Sequence, residues 1–213
     1  VNGDNDVSIS DIASSKSAIS VGAYVSKRSW TDILGNGWVY TGLVKGQLAP
    51  FSSRGPTTDG RIKPEITGPG MTVGSAISSY DSTYFLGTPN YAYIINSYHN
   101  PVNNRDYTYG QLSGTSMASP AVSGISALLL QIKGDLNPQD IKNLFAQTAI
   151  TDGFTGAIVP GGDNTWGSGK VNAYGSVKLL LQMVTGINIL NGGTIDCNLF
   201  PNPNEGIFTL DYS

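Results

Sequence analysis

The chain has 213 residues, with 12 Lys and Arg against 15 Asp and Glu and a net charge of −3 at pH 7. Charged residues make up only 13%, which excludes a disordered polyelectrolyte and a coiled coil. There is no basic surplus to neutralise phosphates, so nucleic acid is not an expected partner, and 39% hydrophobic residues over this length can build a real core.

A single cysteine, Cys197, allows neither an intrachain disulfide nor a thiolate metal cluster, and it is expected to pack as a small apolar residue. Apolar runs such as 125–132 and 177–184 fall far short of the ~20 residues a membrane helix needs, so no membrane span is predicted. The chain begins at Val1 and stops at Ser213 inside a patterned segment, so sequence is expected to continue on both sides.

In chain order, Ala18–Tyr24 is a short β-leaning run. Asn36-Gly37, between Ile33-Leu34 and Trp38-Val39-Tyr40, predicts a hairpin closed by a two-residue turn. Tyr80 to Tyr109 is rich in Tyr, Asn and Ser without helical spacing, which predicts a packed, irregular insertion. Its tyrosines, Tyr107 and Tyr109 among them, either line the rim of a substrate cleft or pack the loop on itself.

Ser116 to Ile132 is apolar on nearly every face and predicts a helix buried on all sides, with Pro120 tolerated in its first turn and Gly134 ending it. A second helix is expected from Asn137-Pro138-Gln139-Asp140, with Ile141, Leu144, Phe145 and Thr148 on one face. A third starts near Asn172 and carries Val177, Leu180, Leu181 and Val184 until Gly186. Composition then changes to strand and turn residues. Residues 1–185 and 186–213 are therefore read as separate units, the second with β runs at 195–200 and 207–212.

Ser113-Gly114-Thr115-Ser116 places a serine where a glycine-bearing turn enters a helix. The first N–H groups of a helix lack intrahelical partners and carry the positive end of its dipole, so an oxyanion forming there is stabilised. An ordinary N-cap serine has the same spacing, and pattern alone does not separate the two.

The segment Gly114-Thr-Ser-Met-Ala-Ser-Pro120 resembles the serine motif of the subtilisin-like serine proteases, the subtilases. Further similar segments follow the family's order: Ala18–Ala23; Phe51–Pro56 with Asp59–Ile66 and Gly68-Pro69-Gly70; and Trp166–Asn172. Gly68-Pro69-Gly70 stands where the family usually has Ala-Pro-Gly. The resemblance implies an α/β, subtilisin-like three-layer fold with a mainly parallel sheet, of which this chain is the C-terminal half. It also implies a polypeptide substrate and an acyl-enzyme on Ser116, with Gly114 and Thr115 shaping the turn and the oxyanion site. The catalytic Asp and His and the oxyanion Asn are then expected upstream, in a missing N-terminal half. Alternatives are a catalytically inactive subtilase-like module and a sedolisin-type acid peptidase.

His99, the one histidine, stands in Tyr98-His99-Asn100-Pro101 and is read as a surface residue of the insertion rather than a base. The chemistry requires no cofactor. Structural calcium is conceivable from Asn2, Asp4 and Asp6 or from Asp163-Asn164, although solvated turns use the same residues and no ligand set is assigned. Asn198 to Leu210 resembles the opening of the C-terminal sorting domain carried by type IX secretion cargo, which implies a β-sandwich tail, the type IX machinery as a partner, and a secreted or cell-surface location.

Overall fold

The computed structural model describes residues 5–186, together with the backbone of 197–200 and 209–212. Its centre is a parallel pair, β1 (Val21–Tyr24) and β4 (Ile66–Pro69), in the register Val21 to Ile66 through Tyr24 to Pro69. Residues 169–171 continue the parallel arrangement on the far side of β4, where the Thr67 and Val171 N–H groups donate to the Gly169 and Thr67 carbonyls at 2.9 and 2.8 Å.

Three helices pack with this sheet: α1 (Thr115–Ile132), α2 (Pro138–Thr148) and α3 (Ala173–Thr185). Ile66, Val122, Leu129, Ile141, Leu144, Phe145 and Leu180 form one apolar cluster drawn from β4 and all three helices. Asn137 caps α2 by accepting from the Gln139 and Asp140 N–H groups, while the Asp140 carboxylate accepts from the Asn137 N–H. Asn172 caps α3, and Gly186, in the left-handed region at φ 68°, ends it.

Four expectations need correction. The mainly parallel sheet holds at the centre, where β1, β4 and residues 169–171 run parallel, but every other strand pair among the described residues is antiparallel. Helix α1 is not buried all round. Ala118, Val122 and Leu129 face the core, whereas Leu128 and Leu130 are 41% and 39% exposed, as are Pro120, Ser123 and Gly124.

The early hairpin pairs β2 (Ser29–Thr31) with β3 (Gly37–Val39), so its connection spans 32–36 rather than two residues. The Asp32 carboxylate organises this loop by accepting from the Leu34 and Asn36 N–H groups and from Trp38 Nε1 at 2.9, 2.8 and 2.9 Å. The positive φ falls on Gly35, at 87°. The insertion, finally, is regular. After two short 3-10 turns, β6 (Ile94–Asn100) and β7 (Arg105–Leu112) form an antiparallel hairpin that β5 (Val73–Ile77) joins, in the order β5-β7-β6.

In the tail, β8 (Cys197–Phe200) pairs antiparallel with β9 (Thr209–Tyr212), Cys197 opposite Tyr212. The intervening Pro-Asn segment lies outside the described residues. Among the described residues one helix, α1, is long and apolar enough to cross a membrane by length and composition, but its buried face already packs on the sheet.

Buried ions tie the sheet to its surroundings. The Lys63 ammonium is almost fully buried and donates to the Ser15 and Ala18 carbonyls and to Glu65 Oε1 at 3.1, 3.0 and 2.6 Å, satisfying all three of its protons. Glu65 also receives Lys142 at 3.0 Å and the Ser20 N–H at 2.7 Å. Lys170 pairs with Asp152 and holds that carboxyl below the ordinary carboxylate range. A depressed carboxyl contributes stability above its ordinary pKa and loses it as pH falls through the native value.

Two outcomes are expected. Phe145→Ala should lower unfolding free energy by about 3–5 kcal/mol in denaturant titration. Asp152→Asn should lower the melting temperature near neutral pH, with the gap to wild type closing on acidification through the native pKa of Asp152.

Candidate active site

The serine turn is built by close approach of two backbones. The Gly70 N–H donates to the Tyr24 carbonyl at 3.1 Å, and the Gly114 N–H donates to the Gly70 carbonyl at 2.8 Å, so the end of β4 directly positions the residue before helix α1. A Cβ on Gly70 would stand 2.5 Å from Ala23 Cβ and 2.9 Å from the Gly114 carbonyl, a space only glycine can share. Small neighbours, Ala23, Ala49 and Ala118, with Val25 and Met71, form a second buried cluster behind this contact.

Ser113 fixes the turn from the other side, its hydroxyl accepting from the Thr72 N–H at 2.9 Å. Thr72 itself adopts φ 53°. The Met117 and Ala118 N–H groups turn back to the Gly114 carbonyl at 3.0 and 3.4 Å, which leaves those of Thr115 and Ser116 unclaimed at the helix's positive end. Ser116 is exposed, with no hydrogen-bond partner for its hydroxyl among the described residues.

Ser116, Gly114 and Thr115 thus sit together on one turn. His99 does not join them. It faces Asp106 across β6 and β7, Nδ1 to Oδ1 2.8 Å, at the far end of the hairpin. Six residues of extended strand separate Asp106 from Leu112, roughly 20 Å, so this exposed His–Asp pair is out of reach of Ser116.

The carboxylates considered for calcium are otherwise engaged where they are described. Asp6 pairs with Arg54 at 3.4 Å, and Asp163 Oδ1 accepts from the Thr165 and Trp166 N–H groups at 2.7 and 2.6 Å, an Asx turn. Asn2 and Asp4 lie outside the described residues. No group of three or more His, Cys, Asp or Glu side chains gathers among the described residues.

Sequence reasoning missed the polar supports. Ser52, in the Phe51–Pro56 segment, accepts from the Ala23 N–H at 3.0 Å and braces β1 beside the site. Thr72 Oγ1 and both amide atoms of Gln111 are buried on the same flank without a partner. A threonine with positive φ and a glutamine inside a strand leave no sequence signal of burial.

An exposed serine on a glycine-tight strand-to-helix turn, carried by an α/β core, is the arrangement of a candidate hydrolase site. The chain belongs to the subtilase family, whose model matches residues 1–176. It is similar to the serine protease AprX of Bacillus subtilis, 37% identical over 133 residues that are 61% of this chain and 25% of AprX. An uncharacterised protein of Aquifex aeolicus is 32% identical over 147 residues, 68% of this chain and 55% of that protein. Among solved structures, the CspB protease of Clostridium perfringens aligns with a TM-score of 0.51 at 25% identity, over 83% of this chain and 29% of that one. The chain spans little more than half of these relatives' length at most.

Two glycines give a contrasting pair of outcomes. Gly68→Ala meets the Ala118 carbonyl and Val122 Cγ2 at 3.1 Å, a contact that shifts of a few tenths of an ångström relieve, so it should be tolerated. Gly70→Ala should displace the serine turn, seen as a lower melting temperature and as faster hydrogen exchange at the Gly114 amide.

Proposed function

We propose that this chain carries the nucleophile of a serine endopeptidase and that Ser116 attacks the carbonyl of a polypeptide substrate. The observation that carries the reading is the exposed, unpartnered Ser116 hydroxyl at the positive end of α1, on the turn fixed by Gly70. In the reaction, Ser116 Oγ adds to the peptide carbonyl while a base takes its proton. The oxyanion is met by the Ser116 N–H, the amine leaves with that proton, and water releases the acyl group. Gly114 and Thr115 shape the turn that presents the hydroxyl, and no cofactor takes part.

The base is not His99, and the acid that orients the base and the oxyanion asparagine also come from polypeptide outside residues 1–213. Two features support a completing half. The outer face of α1, with Ser119, Pro120, Ser123 and Gly124 exposed, is smooth enough for close packing of another element, and Gln111 and Thr72 hold buried polar atoms that need partners. An unassisted serine is a weak nucleophile, and in subtilisin loss of the histidine lowers turnover by about 10⁶, so this part alone is inactive.

We infer further that residues 186–213 open a sorting domain that sends the protein to the cell exterior through type IX secretion. The antiparallel β8–β9 pair supports this reading as the first hairpin of a β-sandwich.

A fluorophosphonate probe should label Ser116 in the parent protein, and Ser116→Ala should abolish both labelling and peptide hydrolysis. His99→Ala should leave kcat/KM within about twofold. Absence of labelling in correctly folded parent protein would favour the inactive module. Removing the tail from residue 187 onward should shift the protein from culture medium to the periplasm of a type IX-competent host, as read by immunoblot of the fractions.

A further inference from the structure

The insertion that breaks into the chain just before the serine turn contains a built cleft of about 740 Å³, lined by aromatic rings on one side and by the hairpin on the other. Tyr80, Tyr84, Phe85 and Tyr91 supply the rings, and Ser97 and Thr108, opposite each other on β6 and β7, supply hydroxyls. Its size is that of a site for a ligand rather than a packing defect.

The walls are held in place. The Arg105 guanidinium stacks over the Tyr80 ring at 3.7 Å. Asp81 caps the 3-10 turn Ser82–Tyr84 by accepting from the Thr83 N–H, and the Thr88 hydroxyl bridges the Thr83 and Phe85 carbonyls at 2.8 Å each. This loop is fastened on itself while presenting apolar surface outward: Tyr80 and Leu86 are 78% and 74% exposed. Meanwhile the hydroxyls of Tyr84, Tyr91, Ser97 and Thr108 make no hydrogen bond among the described residues, so the cleft offers free donors and acceptors between its rings. Rigid rings with free polar tips bind at low cost in conformational entropy.

We propose that this cleft is an exosite for the substrate polypeptide, gripping a segment distant from the bond that is cut; the proposal rests on the peptidase reading above. Strand β7 is the physical link. It runs from Thr108 in the cleft to Leu112, and Ser113 follows as an anchor of the serine turn. Along this strand Thr108 stands roughly 13 Å from Leu112, a span that about four residues of extended peptide cover. Its occupant is an extended segment carrying an aromatic, aliphatic or proline side chain. Rings take the side chain, and the free hydroxyls take main-chain groups.

The test compares two substrates of the parent protein: a short fluorogenic peptide limited to positions near the scissile bond, and the same peptide extended by about eight residues in each direction. Tyr84→Ala and Leu86→Ser should each raise KM for the extended peptide about five- to tenfold, with kcat little changed and the short peptide within about twofold. Tyr84→Phe should keep most of the preference. Unchanged discrimination in both truncated variants overturns the proposal, and so does equal loss on both substrates. If the parent protein cuts neither peptide, the peptidase reading fails on its own. The cleft is then judged by fluorescence anisotropy of the extended peptide on Ser116→Ala protein, where weaker binding in the Tyr84→Ala background supports the exosite and equal binding overturns it. Binding of an oligosaccharide instead, lost on Tyr84→Ala, also overturns the polypeptide assignment.

Discussion

The Gly114 N–H to Gly70 carbonyl contact is the constraint on which the site depends. It joins the end of a parallel strand to the start of an apolar helix with no side chain between them. Gly70 lies against Ala23 and the Gly114 carbonyl at distances that leave no slack, and the cluster of Ala23, Ala49 and Ala118 keeps the surroundings small. Larger residues here would push the helix away from the sheet and the serine with it. Packing behind the turn and exposure in front of it are two sides of the same close contact.

How much of this was legible in the sequence depended on whether the signal was local. The caps at Asn137 and Asn172, the stop at Gly186 and the apolar faces of α2 and α3 follow from short-range rules and appear where the sequence puts them. The serine turn was legible as a motif, but its support was not, since the Gly70 contact joins residues 44 positions apart in the chain. The insertion hid its strands because both faces of the β6–β7 ladder are polar. Tyr98 faces Tyr107 and Ser97 faces Thr108, so no apolar alternation marks the pairing. In the early hairpin, Asn36-Gly37 has the expected composition, yet the Asp32 carboxylate collects donors from three neighbours and draws the turn backward, leaving Gly35 to take the positive φ.

Charge is used sparingly but deeply. Lys63, Glu65 and Lys142 form a buried network at the opposite end of β4 from Ser116, and Lys170 sits about equally far from the Tyr24, Phe154 and Trp166 rings, at 5.3, 5.4 and 5.2 Å, while paired with Asp152. Their partners are local, so these residues hold loops to the sheet. The exposed His99–Asp106 pair has the chemistry of a proton relay in the wrong place, which illustrates that residue type without position does not make a site.

Helix α1 has 18 residues, so it is a rod roughly 27 Å long, with Ser116 near one tip and Leu129 wedged in the core near the other. A tilt of about 3° pivoting on Leu129, roughly 20 Å from Ser116, would swing the hydroxyl by about 1 Å, comparable to the misplacement that costs an enzyme about two orders of magnitude in rate. The molecule therefore works as a lever whose fulcrum is oil rather than chemistry. Leu129 and Phe145 thus set the direction of α1 as well as the cohesion of the core.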